Sequence, residues 1–134
     1  MTIQRIRTVD GLAEPVGPFS HGVVADGLVF TSGQLPVDSN GAQPEAFEDQ
    51  VQAAIDNLHR VLEAAGSGLD QVLSVRTFLT DPAQLEPYNR VYQRSFGEHP
   101  PVRTTVCATL WGASLEIDCI ARVRDAADEP GGAR

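Results

Sequence analysis

Lysine is absent from this 134-residue chain. The 10 positively charged side chains are all arginine and face 18 aspartates and glutamates, for a formal charge of −8. A nucleic-acid backbone is held by clustered cations that release counterions, and this balance argues against that mode of binding. Cysteine is scarce as well. Cys107 and Cys119 lack metal-type spacing and fall in segments that read as strands, so buried, reduced thiols in a cytoplasmic protein are expected. His21, His59 and His99 lie on three separate elements with no H-x-x-H or H-x-x-x-H pair, and no metal is expected. Long apolar runs are missing: nothing approaches the roughly 18 residues of a membrane span. The opening MTIQRIRTVDG has no apolar signal-peptide run. Gly11, Gly17 and Gly22 precede no helix, which excludes a phosphate loop.

What is present suits one soluble core. Hydrophobic residues make up 42% and charged residues 21%, and the length fits a single domain over residues 1–124. Residues 2–9 alternate loosely as a first strand. Residues 21–24 and 27–31 flank Asp26-Gly27, a hairpin signal between two β-branched runs. From Glu45 to Ala65 the period becomes helical. Phe47, Val51, Ala54, Ile55, Leu58, Val61, Leu62 and Ala65 form one stripe, with Glu48, Asp49, Gln52, Asp56, Asn57 and Arg60 opposite. Gly66 and Gly68 end that helix. A strand over 72–80 follows, then a second helix to about Phe96 with Asp81 as N-cap and Pro82 in its first turn, disturbed by Pro87. Strands over 102–110 and 114–123 close the order β-β-β-α-β-α-β-β, and residues 125–134, DAADEPGGAR, read as a disordered tail.

Two helices cover only one face of such a sheet, so the other is solvated or packed on another subunit. Alternation puts Arg103, Thr105 and Cys107 on one face of their strand, and Glu116 with Asp118 on one face of the last. An α+β domain that oligomerises is the reading.

Four stretches, in order, resemble one family: GPFSHG at 17–22, VFTSGQLP at 29–36, PVRTTV at 101–106 and LEIDCIA at 115–121. With Gln50 to Leu58, Ala64-Ala65-Gly66 and Asn89-Arg90-Val91-Tyr92 between them, the chain is similar over residues 10–124 to the RidA/YjgF reactive-intermediate deaminases. The resemblance implies a chorismate-mutase-like fold, a mixed sheet with two helices on one face. It also implies a homotrimer with sites in the clefts between subunits. The implied activity is hydrolysis of 2-imino acids and their enamine tautomers to 2-oxo acids and ammonia, with no cofactor and no metal.

Arg103 matches the family's substrate-binding arginine, and its planar fork suits the carboxylate of an imino acid. Glu116 matches the water-positioning glutamate. A nearby arginine would keep it ionised, whereas burial would raise its pKa and suit it to moving protons. Ser32 and Gly33 match a substrate-contacting loop, and Asn89 matches a position near the cleft. Asp118 shares the face of Glu116 without a matching role and is expected to be solvated. Two matched substrate positions depart from the pattern: Phe19 stands where many deaminating members have Tyr, and Thr105 where the best-studied group has Cys. Trp111 adds a ring near a turn where many members have Pro, as an interface anchor, a pocket wall or a packed turn. His21, close to Phe19, is a further candidate for the cleft. The alternatives are a catalytically weak trimer that binds small carboxylates, or a deaminase dedicated to one pathway intermediate. A ribonuclease is disfavoured by the −8 charge.

Overall fold

The computed structural model describes residues 2–125; the tail reading falls, apart from Asp125, outside the described residues. Strands β1 (Ile3–Ile6), β2 (Gly22–Ala25) and β3 (Leu28–Thr31) form an antiparallel meander. The β2–β3 hairpin turns on Asp26 at φ 52° and Gly27 at φ 77°. Two successive positive φ values define the turn whose twist matches a hairpin, and Asp-Gly tolerates both. Helix α1 (Phe47–Ala64) carries the chain to β4 (Val72–Leu79). Helix α2 (Leu85–Phe96) leads to β5 (Val102–Cys107), and β6 (Leu115–Arg122) ends the fold.

The strand order is β1-β2-β3-β6-β4-β5, antiparallel except for the β4–β5 pair that α2 connects. A parallel pair needs such a crossover. The last strand thus inserts between β3 and β4. Both helices lie on one face, where Val51, Ile55, Leu58 and Leu62 of α1 and Tyr88, Val91 and Phe96 of α2 pack on Val29, Val75, Leu79, Leu115 and Ile117. The α1 stripe is buried as its period predicts, with one correction. Asn57, expected on the polar side, is buried: its amide donates to the carbonyls of Leu35 (3.0 Å) and Val37 (2.7 Å). It satisfies a loop that would otherwise leave buried acceptors unpaired.

Asp81 caps the turn before α2. Its carboxylate accepts from the Ala83 N–H at 2.8 Å while the Gln84 side chain accepts from the Asp81 N–H at 3.1 Å, a reciprocal capping box. Pro82–Gln84 forms a 3₁₀ turn and α2 starts at Leu85, so Pro87 sits in the first helical turn, where no N–H is missed. Asp81→Ala should lower stability by about 1 kcal/mol, read as a fall in melting temperature of roughly 3–5 °C.

The face away from the helices exposes Ile3, Phe30, Val102 and Val106. Here Asp118 is not solvated as expected. Arg76 grips both its oxygens, at 3.0 and 2.7 Å, across the β4–β6 register, and the Asp118 side chain is only 13% exposed. Cys119 is buried, but Cys107 is exposed, because it ends the edge strand; the buried-thiol reading holds for one cysteine only. Strand β5 also stops at Cys107 rather than continuing to Leu110. Trp111 stands fully in solvent, which removes the packed-turn reading within the chain. Among the described residues no helix is long and apolar enough to cross a membrane.

Candidate functional site

The predicted site residues form two groups. The first lies where the chain leaves β3. Gln34 extends the β3–β6 pairing past the end of β3: its N–H donates to the Ile117 carbonyl at 2.7 Å and its carbonyl accepts from the Ile117 N–H at 3.2 Å. Gly33 is thereby laid against Glu116, the neighbour of Ile117. A Cβ built on Gly33 would stand 2.7 Å from Glu116 Cγ and 2.5 Å from its Cδ. The glycine permits this close approach: any side chain here would displace the Glu116 carboxyl. The Ser32 hydroxyl donates to the Ser20 carbonyl at 2.5 Å, and the Ser32 N–H to the His21 carbonyl at 2.9 Å, so Ser32 ties the Phe19 segment to the Gly33 loop.

His21 is buried behind that loop. One ring nitrogen, Nε2, lies 3.1 Å from the Ala13 carbonyl, and the other, Nδ1, lies 3.3 Å from the Gln34 amide nitrogen. A carbonyl only accepts and an amide nitrogen only donates, so the contacts assign a neutral ring with its proton on Nε2. The Phe19 ring meets it edge-on at 6.4 Å between centroids. A cavity of about 180 Å³ opens here, bounded by Phe19, His21, Gly33 and Gln34 among others.

Burial pushes the Glu116 carboxyl above its ordinary range, the neighbouring Asp118 adds to the rise, and Arg76 opposes it. Of the two environments open to Glu116, burial therefore prevails over an adjacent cation. The arginine near Glu116 is Arg76, already committed to Asp118, and not Arg103.

The second group surrounds Arg103. In-register residues on paired strands share a face, so Arg103, Val75 and Cys119 point to the helices. The Arg103 guanidinium sits over the rings of Tyr92 (4.7 Å) and Tyr88 (5.5 Å). Burial pushes the Tyr92 phenol up to about 12 and drives that of Tyr88 upward too, so both rings stay neutral and leave the arginine charge uncompensated. Among the described residues no carboxylate lies within ion-pair distance of Arg103. Thr105 follows on the same face, and its neighbour Thr77 shares a 2.6 Å hydrogen bond with the Tyr88 hydroxyl. Asn89 is exposed on α2 beside Tyr88.

Arg103 and Glu116 do not meet within one chain. Glu116 registers with Phe78 and Arg103 with Val75, on strands separated by β4, and their side chains leave opposite faces. Two strand spacings across and three residues along put their Cα atoms roughly 14 Å apart. The predicted site residues therefore fall into two separate groups on opposite faces of the sheet. Sequence reasoning missed Tyr88, Tyr92 and Gln34. The i, i+4 spacing of the tyrosines marks one helix face, but only the strand order sets Arg103 above it.

Comparison with known proteins agrees with this architecture. The family profile described as endoribonuclease L-PSP matches residues 11–123. Protein mmf2, mitochondrial, of Schizosaccharomyces pombe is 37% identical over 110 residues, which cover 78% of this chain and 87% of that protein. TdcF of Escherichia coli, described as a candidate reactive intermediate deaminase, is 34% identical over 112 residues, covering 79% and 87%. The crystal structure of Escherichia coli TdcF with bound serine superposes with a TM-score of 0.83 at 31% identity, over 91% of this chain and all of the other. With the profile spanning nearly the whole described fold, the chain belongs to the endoribonuclease L-PSP family, that is, the YjgF/RidA family.

Proposed function

We propose that this protein is a cofactor-free hydrolytic deaminase that converts 2-imino acids and enamines, such as 2-iminopropanoate and 2-iminobutanoate, to 2-oxo acids and ammonia. We further propose a cytoplasmic homotrimer in which one copy supplies Arg103 and a neighbour supplies Glu116. The observation that carries the reading is the pair of groups: an uncompensated arginine on neutral rings, and a proton-prone carboxyl held against a glycine. The apolar sheet face free of helices gives copies of the chain a surface on which to join them.

In this mechanism Arg103 takes the substrate carboxylate with two parallel charge-assisted hydrogen bonds. Phe19, Ser32, Gly33, Asn89 and Thr105 line the reacting group. Glu116, ionised, takes a proton from water as the water oxygen bonds to the imine carbon, and passes it to nitrogen. Glu116 then carries the hydroxyl proton of this adduct to the nitrogen as the C–N bond breaks, so that ammonia leaves and the C=O bond of the 2-oxo acid forms. A carboxyl with a raised pKa both accepts and returns a proton readily. A weak carboxylate-binding module is the second reading, favoured by Phe19, which lacks a hydroxyl for substrate or water. RNA cleavage, despite the family description, is opposed by the −8 charge.

The test couples an amino-acid oxidase, which generates the imine, to trapping by semicarbazide. Added protein should lower semicarbazone formation, and its failure to do so with any imine would overturn the reading. The pH profile is a second expected result. Glu116 must be ionised to accept the water proton, so kcat/KM should fall on an acid limb whose midpoint lies above the ordinary 4.5, and Glu116→Gln should abolish that limb along with most activity. The same raised pKa means that the folded chain binds more protons than the unfolded one in that window. Stability therefore declines as pH rises through it, and Glu116→Gln should raise the melting temperature at pH 7 relative to the wild-type protein.

A further inference from the structure

Asp118 takes no part in the reaction as drawn above, yet both its oxygens are held. Glu116 and Asp118 are two residues apart on β6 and share the sheet face that the helices leave open, with Phe78 and Arg76 directly opposite them on β4. Arg76 donates to the two Asp118 oxygens from Nε at 3.0 Å and from a terminal nitrogen at 2.7 Å, the parallel geometry that fixes a guanidinium most firmly. Its guanidinium carbon stands 5.7 Å from the centre of the Phe78 ring, so the arginine lies across the residue that faces Glu116. Diagonal neighbours on a sheet are about 7–8 Å apart, within the span of an arginine side chain, which makes Glu116 the alternative partner of this guanidinium. Among the described residues the ion pair of Arg76 nevertheless goes to Asp118 and none goes to Glu116. The other surroundings of Glu116 add no charge. The Ser32-Gly33-Gln34 segment lays backbone against the carboxyl, and β3 brings Phe30 to this face. His21 lies behind that segment, with its ring nitrogens engaged by Ala13 and Gln34. The charges that face Glu116 within the chain are therefore Asp118 and Arg76, of opposite sign.

We propose that Asp118 and Arg76 are positioning residues for the Glu116 carboxyl: Asp118 engages the arginine fork and so withholds the cation from Glu116, which stays free both to take a proton and to give it back. The proton-carrying role of Glu116 comes from the deaminase reading, on which this assignment rests; the coupling of the charges does not. A carboxylate locked to an arginine is stabilised as the anion and returns a proton poorly, whereas one beside a second carboxylate and an aromatic ring holds its proton more readily. The raised pKa of Glu116 agrees in sign: burial and Asp118 lift it, and Arg76 opposes them only from a place where Asp118 holds it. Of the two carboxylates Asp118 takes the guanidinium because it lies opposite Arg76 in register, whereas Glu116 is diagonal to it.

The test follows the Glu116 carboxyl carbon by nuclear magnetic resonance across a pH titration of the full chain labelled with carbon-13 glutamate. Its signal is assigned by its loss in Glu116→Gln. Asp118→Asn deletes the negative neighbour and releases Arg76 toward Glu116, so the midpoint should move to lower pH. Arg76→Gln leaves Asp118 unpaired beside Glu116, and the midpoint should move to higher pH. The double variant Arg76→Gln/Asp118→Asn should titrate between the two single variants. The acid limb of kcat/KM, measured in parallel with an imine, should move in the same order. A fold merely loosened would expose Glu116 and lower the midpoint in both single variants, so opposite shifts are the signature of the charges. Either single variant decides the sign by itself. Coincident midpoints, shifts in one direction, or shifts with the signs reversed would overturn the proposal, and with turnover retained they would leave the deaminase reading standing. Midpoints displaced in the expected order without turnover of any imine would overturn the deaminase reading alone.

Discussion

Arg103→Ala should reduce kcat/KM for 2-iminopropanoate by about a hundred- to ten-thousand-fold while the protein stays folded. The range follows from the two charge-assisted hydrogen bonds that the proposed mechanism gives Arg103 to the substrate carboxylate, each worth about 1.5–3 kcal/mol. The stability cost is much smaller, because the guanidinium rests over Tyr88 and Tyr92 and no ion pair is broken. Such a cation–π contact contributes about 0.5–1 kcal/mol at an exposed site. Arg103→Lys should recover only part of the loss, since an ammonium keeps the charge but not the fork. The proposed sharing of the site between copies adds a sharper result. Arg103→Ala and Glu116→Ala chains are each inactive, but co-refolded in equal amounts they should regain about a quarter of wild-type activity, the fraction of clefts that draw both intact residues from different copies. A mixture as inactive as its components would show that the two residues do not combine across subunits.

Gly33→Ala should lower kcat about 100-fold with little change in KM. The added methyl overlaps the Glu116 side chain, with Cγ at 2.7 Å and Cδ at 2.5 Å, so the carboxyl must swing away. A displacement of about 1 Å at a reacting group costs on that order. The atoms that yield belong to a flexible side chain rather than to backbone, and the melting temperature should shift by no more than about 2 °C. The acid limb of the pH profile should move as well, because Glu116 leaves the environment that raises its pKa. Retention of wild-type kcat in a folded Gly33→Ala protein would remove the Glu116 position from the mechanism.

Much of the fold was legible because its signals are local. Asp-Gly between two short β-branched runs specified the β2–β3 hairpin, and both turn residues adopt the required positive φ. The α1 stripe from Val51 to Leu62 reads at the helical period and is buried as read. Asp81-Pro82 announced a capped helix start, and the capping box is present. The errors share a different cause. Asn57 looked like a solvent-facing helix residue, yet loop carbonyls 20 and 22 residues away in the chain claim it. Asp118 looked solvated, yet Arg76, 42 residues away, holds it in a bidentate pair. Cys107 looked like a core thiol, yet it ends an edge strand. None of these partners lies within the reach of a helical or strand period.

The site divides in the same way. By itself the sequence determined the residue types, the order of elements and the alternation that sets Arg103 with Thr105 and Glu116 with Asp118, because side-chain direction along a strand follows from a period of two. Only the tertiary structure decided what those side chains meet. The insertion of β6 between β3 and β4 brings Gly33 onto Glu116 through the Gln34–Ile117 bridge, and the α2 crossover puts two tyrosines beneath Arg103. The same strand order sends the arginine and the glutamate to opposite faces. These outcomes depend on long-range pairing and on which face the helices bury, energies summed over the whole core that no local window contains.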